Sequence, residues 1–304
     1  MEYALTTNAL CKNYRHFKAL NSLSMHVPKG SIYGFVGKNG AGKTTLIRLI
    51  CGLQNPTSGD YTLYGIKNTE KDIRKSQRRI GAVVETPSIY LDMTAEETLK
   101  EQYRILGLPS FDDIPSLLHL VGLEDTGKKK AKNFSLGMRQ RLGIAIALCG
   151  DPDFLVLDEP VNGLDPQGII EIRELILKLN RERQITVLIS SHILDELSRL
   201  ATHYGFIDNG RLIKEISAEE LERTCQRSLR LEVSDMRVLT RVMEELEIEY
   251  QIISDTQVDV FAKMTATKVI LELAKKGCEV ISIHERDESL ESYYVSLLGG
   301  EKNE

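Results

Sequence analysis

Residues 34–50 have the sequence Gly-Phe-Val-Gly-Lys-Asn-Gly-Ala-Gly-Lys-Thr-Thr-Leu-Ile-Arg-Leu-Ile, and this segment is the strongest indication of the fold. The apolar run at 32–36 predicts a short buried strand, residues 37–42 predict a glycine-rich loop, and the apolar spacing from Thr44 onward predicts a helix. Gly37, Gly42, Lys43 and Thr44 fill every fixed position of the pattern G-x-x-x-x-G-K-[ST]. The sequence therefore predicts a phosphate-binding loop, and a glycine-rich turn that binds nothing is the weaker alternative.

The residue types in this loop suit a chain of phosphates. Glycines let consecutive backbone N–H groups curl around an anion, and the following helix presents its unpaired N–H groups and positive dipole end to the same phosphates. Lys43 would supply a positive charge to the β- and γ-phosphates. Thr44 would offer its hydroxyl to Mg²⁺.

Composition limits the class of protein. The chain has 304 residues, of which 42% are hydrophobic and 27% charged, which allows one large domain or an ordinary domain plus a small one. The net charge of −5 argues against a general nucleic-acid binder, and no nucleic-acid partner is expected. Residues 1–10 lack the apolar core of a signal peptide, and no apolar run approaches the ~18 residues of a spanning helix. We therefore expect any membrane association to come through a partner, and five scattered cysteines without a C-x-x-C pair indicate reduced cytosolic thiols.

The order of elements predicts an α/β fold. Strands are expected at 4–10, 20–27, 61–64 and 79–85, and helical patterns run from Thr94 to about Leu148 with breaks at 107–109 and 128–133. A strand at 153–157 is apolar after its first residue, and it is followed by an amphipathic helix at 168–183 and a buried strand at 186–190. Such alternation predicts a parallel sheet covered by helices on both faces.

The character of the chain changes after Gly210. A short helix at about residue 217 is followed by strand, helix, two strands, helix and strand between 228 and 284, and a last helix near 290–298. The βαββαβ order predicts a small ferredoxin-like α+β appendix. It carries neither a phosphate loop nor a metal-ligand pattern, so a regulatory or packing role is our interpretation.

Two acidic residues follow the strand at 153–157. Strand ends of parallel sheets converge on the ligand crevice, so Asp158 is a candidate ligand of Mg²⁺ and Glu159 a candidate base for a water that attacks the γ-phosphorus. The alternative is that an acid pair simply begins a loop. The phosphate loop upstream favours the functional interpretation.

A second candidate anion site precedes the helical run at 142–148. Ser135 and Gly137 would place a hydroxyl and free N–H groups at a helix N-terminus. In isolation, a helix merely capped by Ser135 is the favoured interpretation.

Together these segments resemble the nucleotide-binding subunit of an ABC transporter over residues 1 to about 222. Residues 37–45 resemble the family's Walker A motif, and residues 134–138 (Phe-Ser-Leu-Gly-Met) stand where the family's signature motif falls. Residues 155–159 resemble the Walker B motif with its catalytic glutamate, and residues 162–165 resemble the D-loop. His192 follows a strand, as the switch histidine does, and Tyr14 lies where an aromatic residue stacks on adenine. The resemblance implies that nucleotide is bound by Tyr14, Gly37, Asn39, Gly40, Gly42, Lys43, Thr44, Thr45, Ser135, Gly137 and Asp165.

The resemblance also implies a mechanism. ATP with Mg²⁺ would lie between the phosphate loop of one subunit and the signature of a second, head-to-tail copy, so that Ser135 and Gly137 act in trans. His192 would hold the γ-phosphate and the attacking water. A polytopic membrane permease, bound near residues 79–120, would convert the cycle of ATP closure and hydrolysis into transport, and the chain would lie at the cytoplasmic face of the cell membrane, peripheral through that permease.

Glu85 departs from the pattern of most members, which have a glutamine there that contacts Mg²⁺ and water. A carboxylate at this position resembles the branch that exports or gives immunity to antimicrobial peptides such as lantibiotics and bacitracin. The resemblance then implies a catalytic set of Glu159, His192, Lys43 and Glu85 and a metal set of Thr44, Asp158 and Glu85. Drift from glutamine to glutamate without a change of substrate is the alternative. The signature also departs, with Leu136 and Met138 in place of glycine and glutamine.

The sequence thus predicts an ATP-binding domain at 1–222, with a helical subdomain at about 86–150, and an accessory α+β domain at 223–304. The predicted function is that of an ATP-hydrolysing subunit that drives peptide export. Alternatives are a soluble ABC ATPase acting on ribosomes or DNA, an importer ATPase, or an exporter of drugs, lipids or polysaccharide. Ribosomal members usually carry two nucleotide domains and DNA-repair members a long coiled coil, and this chain shows neither pattern.

Overall fold

The computed structural model describes residues 2–225, 228–246, 248–261, 266–286 and 290–299. The strands are β1 (Tyr3–Tyr14), β2 (Phe17–Pro28), β3 (Ile32–Val36), β4 (Ser58–Leu63), β5 (Ile66–Lys67), β6 (Ile80–Val83), β7 (Phe154–Asp158), β8 (Thr186–Ser191), β9 (His203–Asp208), β10 (Arg211–Ser217), β11 (Ser228–Val233), β12 (Glu249–Ile252), β13 (Gln257–Phe261) and β14 (Val280–Arg286). The α-helices are α1 (Lys43–Ile50), α2 (Ile73–Gln77), α3 (Ala95–Leu106), α4 (Ile114–Leu120), α5 (Leu136–Leu148), α6 (Pro166–Arg183), α7 (Leu194–Ser198), α8 (Ala218–Thr224), α9 (Met236–Glu245), α10 (Ala266–Lys275) and α11 (Leu290–Gly299). Two single-turn 3₁₀ helices span Glu124–Thr126 and Ala131–Asn133.

A six-stranded sheet in the order β10-β9-β3-β8-β7-β6 carries the candidate site. Strands β9, β3, β8, β7 and β6 are parallel, and β10 pairs antiparallel with β9 at one edge. Every residue of β3, β7 and β8 is buried, as expected for strands covered on both faces. The predicted α/β class is therefore confirmed.

A second sheet is antiparallel, in the order β2-β1-β4-β5. Its inner face shares a core with β3 and α1, in which Leu5, Leu23 and Phe35 pack with Leu46 and Ile47. Full burial of one aliphatic side chain contributes about 1.5–3 kcal/mol. Helix α1 is only 8 residues long, so this packing, rather than helix propensity, holds the phosphate loop in place.

Helices α3, α4 and α5 occupy the segment between β6 and β7. Helix α3 begins with a capping box, in which the Thr94 hydroxyl accepts from the Glu97 N–H and the Glu97 carboxylate accepts from the Thr94 N–H. It ends at Gly107, whose φ of 68° continues the chain in the left-handed region. The breaks predicted at 107–109 and 128–133 are confirmed.

The chain divides into two compact units, residues 1–218 and 219–304. The second unit contains an antiparallel sheet in the order β12-β13-β11-β14, with helices α9 and α10 in the connections. This is the strand order of a ferredoxin-like βαββαβ fold, as predicted. Its core includes Leu231, Leu239, Val258, Val260 and Leu273.

Several elements differ from their predicted bounds. Strands β1 and β2 are longer, and the strand predicted at 79–85 shortens to Ile80–Val83. The predictions did not include α2, α7, β9 or β10. Within the order predicted between 228 and 284, we expected the third strand near 258–262 and the helix after it near 265–275; residues 262 and 265 lie outside those described.

Candidate active site

The loop between β3 and α1 requires glycine at two positions. A Cβ at Gly37 would lie 2.5 Å from the Ile207 carbonyl oxygen, and a Cβ at Gly42 would lie 2.5 Å from that of Ala19. Gly42 also has a φ of 113°, where side chains are strained. The backbone of the loop is therefore packed tightly against β9 and β2.

The rest of the loop is open. Asn39 and Gly40 are exposed at its tip, and Thr45 is half-buried in the first turn of α1. A Cβ at Gly40 would meet nothing within 4 Å. The exposed backbone at this tip is accessible to a ligand.

Lys43 is buried, with 6% of its side chain exposed. Its Nζ donates to the carbonyl oxygens of Gly37 at 2.5 Å and Lys38 at 3.2 Å. It also lies 3.1 Å from Oε1 of Glu159. The ammonium group is thus held inside the curve of the loop, beside the carboxylate predicted to act as base.

Asp158 is fixed by two hydroxyl groups. The Thr44 hydroxyl donates to Oδ2 at 2.8 Å, and the Ser190 hydroxyl donates to Oδ1 at 2.5 Å. Mg²⁺ prefers hard oxygen ligands, and the hydroxyl of Thr44 and the carboxylate of Asp158 provide two at the end of the phosphate loop. These residues therefore fit a magnesium ion.

Glu159 lies between a lysine and a histidine. Its Oε2 is 2.6 Å from Nδ1 of His192, and its Oε1 faces Lys43. The Glu159 N–H donates to both the carbonyl oxygen and the hydroxyl of Ser190, each at 3.1 Å, and the residue has a φ of 51°. The structure thus brings together three of the four residues predicted to be catalytic.

The fourth of those residues, Glu85, has a partner that the sequence did not reveal. Its Oε1 accepts a hydrogen bond from Nη2 of Arg48 at 2.6 Å. Arg48 lies on α1, four residues after Thr44 and therefore on the same helix face, but no local pattern in the sequence indicates its contact with Glu85. The metal and catalytic roles of Glu85 stay predictions.

Cys51 follows α1 and lies close to this acidic end of the site. Burial, and then the negative charge of Asp158, raises the pKa of the Cys51 thiol to about 12. The thiol is therefore neutral at physiological pH and adds no charge to the site.

Tyr14 lies at the end of β1, in the turn before β2. Its hydroxyl donates to the side chain of Gln54, and Nζ of Lys12 is 5.3 Å from its ring centroid. Phe17, on the other side of the turn, is more exposed, at 59% against 38% for Tyr14. The ring of Tyr14 is therefore the better anchored of the two candidates for stacking on a base.

Ser135, Gly137 and Asp165 form a second cluster at the start of α5 and α6. The Ser135 hydroxyl accepts from the Met138 N–H at 3.2 Å, and the Asp165 carboxylate accepts from the Gly168 N–H at 3.0 Å. A Cβ at Gly137 would lie 3.9 Å from a methyl group of Leu164. Ser135 and Asp165 therefore cap α5 and α6. The short distance between Gly137 and Leu164 shows that the predicted signature and D-loop segments are adjacent.

The fold and this arrangement define an ATP-binding cassette ATPase, and comparison with known proteins identifies its family. Residues 20–162 match the ABC transporter family model. The bacitracin transport ATP-binding protein BcrA of Bacillus licheniformis is 41% identical over 303 residues, which are 99% of this chain and 99% of that protein. The chain belongs to the ABC transporter family, as an ATP-binding subunit.

Two further relatives agree with this assignment. The lantibiotic transport ATP-binding protein SrtF of Streptococcus pyogenes is 44% identical over 206 residues, covering 68% of this chain and 87% of that protein. The solved dimeric structure of a bacterial ABC transporter cassette is 25% identical with a TM-score of 0.64, and the match covers 70% of this chain and 98% of that one. The protein is thus an ATPase that takes ATP as substrate and, as in its family, Mg²⁺ as cofactor.

Proposed function

We propose that this chain hydrolyses ATP to drive a separate membrane permease that exports an antimicrobial peptide of the bacitracin or lantibiotic class. The observation that carries the proposal is the similarity to a bacitracin transport ATP-binding protein over 99% of both chains. The carboxylate at Glu85 and the match to a lantibiotic transport ATP-binding protein support the same substrate class.

The hydrolytic step follows from the contacts of Glu159. One Glu159 oxygen accepts a proton from the attacking water while the water oxygen bonds the γ-phosphorus and the bond to the β-phosphate oxygen breaks. His192, 2.6 Å from Glu159, holds this carboxylate and the water in line. The leaving group is ADP and the product is inorganic phosphate.

Lys43 would bind the phosphates, and the acidic end of the site would hold the metal ion that accompanies them. The Lys43 ammonium group moves its hydrogen bonds from Glu159 and the loop carbonyls to the β- and γ-phosphate oxygens, which releases Glu159 to accept a proton. Thr44 and Asp158 hold Mg²⁺, which when bound neutralises part of the phosphate charge. Tyr14 stacks on the adenine ring.

The second cluster completes the site of a partner copy. Ser135 and Gly137 present a hydroxyl and backbone N–H groups at the start of α5, where a phosphate is favoured. Asp165 caps α6 beside them and fixes the loop that faces the partner. A dimeric cassette among the similar solved structures supports a head-to-tail homodimer.

A groove next to Glu85 suits the permease. Its volume is about 520 Å³, and it lies between the end of α1, β6 and α5, with Leu53, Ile80, Pro87 and Ile146 among its lining residues. Within the described residues, no helix is long and apolar enough to cross a membrane. We propose that the chain associates with the cytoplasmic face of the cell membrane through its permease, which contacts this groove and the neighbouring helical segment.

The two parts of the chain have different roles in this proposal. Residues 1–222 form the ATP-binding domain, with its helical subdomain at about 86–150, and residues 223–304 form the accessory domain. In the accessory sheet, Arg230 of β11 donates two hydrogen bonds of 2.7 Å to Asp259 of β13. A regulatory or packing role suits this domain.

The test is to purify the tagged chain from its own cells in a mild detergent and identify what accompanies it. We expect a polytopic membrane protein, and cells carrying Glu159→Gln should become as sensitive to bacitracin or a lantibiotic as cells lacking the chain. Recovery with ribosomes, or unchanged peptide sensitivity in both strains, would contradict the proposal. Lys38→Ala, at an exposed lysine of the same loop, serves as the matched control.

A further inference from the structure

Helix α1 makes two parallel contacts with the strand ends of the central sheet. Thr44 and Arg48 are four residues apart and therefore lie on the same helix face. Thr44 contacts Asp158 at the end of β7, and Arg48 contacts Glu85 after β6. The second contact is thus one helical turn further from the phosphate loop than the first.

Glu85 and Glu159 lie at equivalent positions, just beyond the ends of the neighbouring strands β6 and β7. Val83 of β6 pairs with Leu157 of β7 in parallel register, and each glutamate is two residues beyond its paired position. Both have left-handed backbone conformations, with φ of 61° for Glu85 and 51° for Glu159. Their partners and exposure differ: Glu159 faces Lys43 and is 20% exposed, whereas Glu85 faces Arg48 and is 59% exposed.

A third carboxylate at the phosphate end would oppose ATP binding. Asp158 and Glu159 already place negative charge there, and like charges repel most where water is partly excluded. We propose that Arg48 is a positioning residue that holds the Glu85 carboxylate against α1, away from the γ-phosphate, in place of the catalytic and metal roles that the family resemblance implies for Glu85. The inference rests on the ATP site of the proposed function and deepens it, because it names the residue that lets a glutamate replace the glutamine found in most members.

Because Arg48 and Glu85 are partly exposed, a positioning role for Arg48 can be distinguished from a contribution to folding stability. The side chains of Arg48 and Glu85 are 34% and 59% exposed, and exposed ion pairs contribute little to folding stability. Replacement of Arg48 should therefore leave the unfolding temperature nearly unchanged while it frees the Glu85 side chain.

The segment that Arg48 contacts also packs against α5. Pro87, two residues after Glu85, packs against Gly143, where a Cβ would lie 2.5 Å from the proline Cβ. The segment 85–87 therefore touches the phosphate-loop helix at one end and α5, which is capped by Ser135, at the other. Arg48 fixes the first of these two ends.

The experiment measures binding of the non-hydrolysable ATP analogue AMP-PNP and of ADP, both with Mg²⁺, by titration calorimetry. We expect Arg48→Gln to weaken AMP-PNP binding about fivefold, with less than half that effect on ADP, which lacks the γ-phosphate. Glu85→Gln in the Arg48→Gln background should restore the affinity to that of Glu85→Gln alone. Arg48→Lys should retain most of the wild-type affinity, and the loss in Arg48→Gln should shrink at high salt because the repulsion is screened.

Arg104→Gln is the matched control, since Arg104 pairs with Glu101 at 2.9 Å on the exposed face of α3. Equal losses for AMP-PNP and ADP, or a double variant no better than Arg48→Gln, would overturn the positioning role. A wild-type protein that fails to bind AMP-PNP would instead contradict the proposed function. Wild-type binding with an unaltered Arg48→Gln variant would overturn this inference alone.

Discussion

The Thr44 hydroxyl donates a hydrogen bond of 2.8 Å to Oδ2 of Asp158, which joins the first turn of α1 to the end of β7. The other carboxylate oxygen, Oδ1, accepts from Ser190 at 2.5 Å. Asp158 is 2% exposed, so its orientation is set by these two hydroxyl groups. Two oxygen groups of the kind that Mg²⁺ prefers are therefore held in place by the fold itself.

Removal of the Ser190 hydroxyl should loosen this carboxylate. Loss of a group that orients a metal ligand typically costs ~10–100-fold in metal affinity, so Ser190→Ala should raise the Mg²⁺ concentration needed for half-maximal ATPase activity at least ~10-fold. Magnesium titration of the rate at saturating ATP measures this. Ser191→Ala is the control, because that hydroxyl bonds only the local backbone of Ile193 among the contacts described. Equal Mg²⁺ requirements in both variants would contradict the assignment of Asp158.

Lys43→Ala should weaken nucleotide binding as well as hydrolysis. The change removes a buried cation that would contact the phosphates in the ground state and the transition state alike. It also leaves Glu159 without the ammonium group 3.1 Å from its Oε1. A direct titration with AMP-PNP provides the measurement, and Lys38→Ala controls for the loss of a lysine from the loop. Unchanged affinity in Lys43→Ala would exclude a direct role in binding.

Tyr14→Ala should weaken binding through lost stacking, worth about 1–3 kcal/mol for a base on an aromatic ring. The same titration on Phe17→Ala separates the two aromatic residues of the turn. Gln54→Ala should have a smaller effect, because it removes the hydrogen-bond partner of Tyr14 but leaves the ring. If Phe17→Ala loses more affinity than Tyr14→Ala, the base stacks on Phe17.

The sequence predicted the part of the site that is local in the chain. The strand at 32–36 has the bounds of β3, because an unbroken apolar run followed by glycine allows few other structures. Lys43 and Thr44 could be predicted as site residues because the motif spacing within one loop identifies them. The ferredoxin-like order of the second unit was likewise predicted from its alternating elements.

The contacts that join distant segments could not be predicted in this way. The Arg48–Glu85 pair depends on how α1 lies across the ends of β6 and β7, and no local pattern sets that geometry. Ser190 contacts Asp158 only because β7 and β8 are adjacent and in register. Strand β10 was missed because its residues are exposed or only partly buried, so the apolar alternation of a buried strand is weak there.

Glu85→Gln should retain the fold and ATP binding yet change the coupling of hydrolysis to transport. Glu85 lines the groove assigned to the permease and also contacts α1 through Arg48, so its charge can connect the two. The measurement is the ATPase rate with and without the reconstituted permease, together with peptide flux. Wild-type behaviour in both assays would make Glu85 a neutral substitution and remove one support for the antimicrobial-peptide branch.

We propose that Glu159 is the general base of the ATP-hydrolysing site. Glutamine at this position is nearly isosteric but cannot accept the proton of the water, and a general base contributes typically ~10²–10⁴-fold. The most direct measurement is the single-turnover rate of ATP hydrolysis by Glu159→Gln, beside its affinity for ATP and its oligomeric state. We predict a loss of rate in that range, retained ATP binding and a stable ATP-bound dimer, whereas hydrolysis near the wild-type rate would contradict the account.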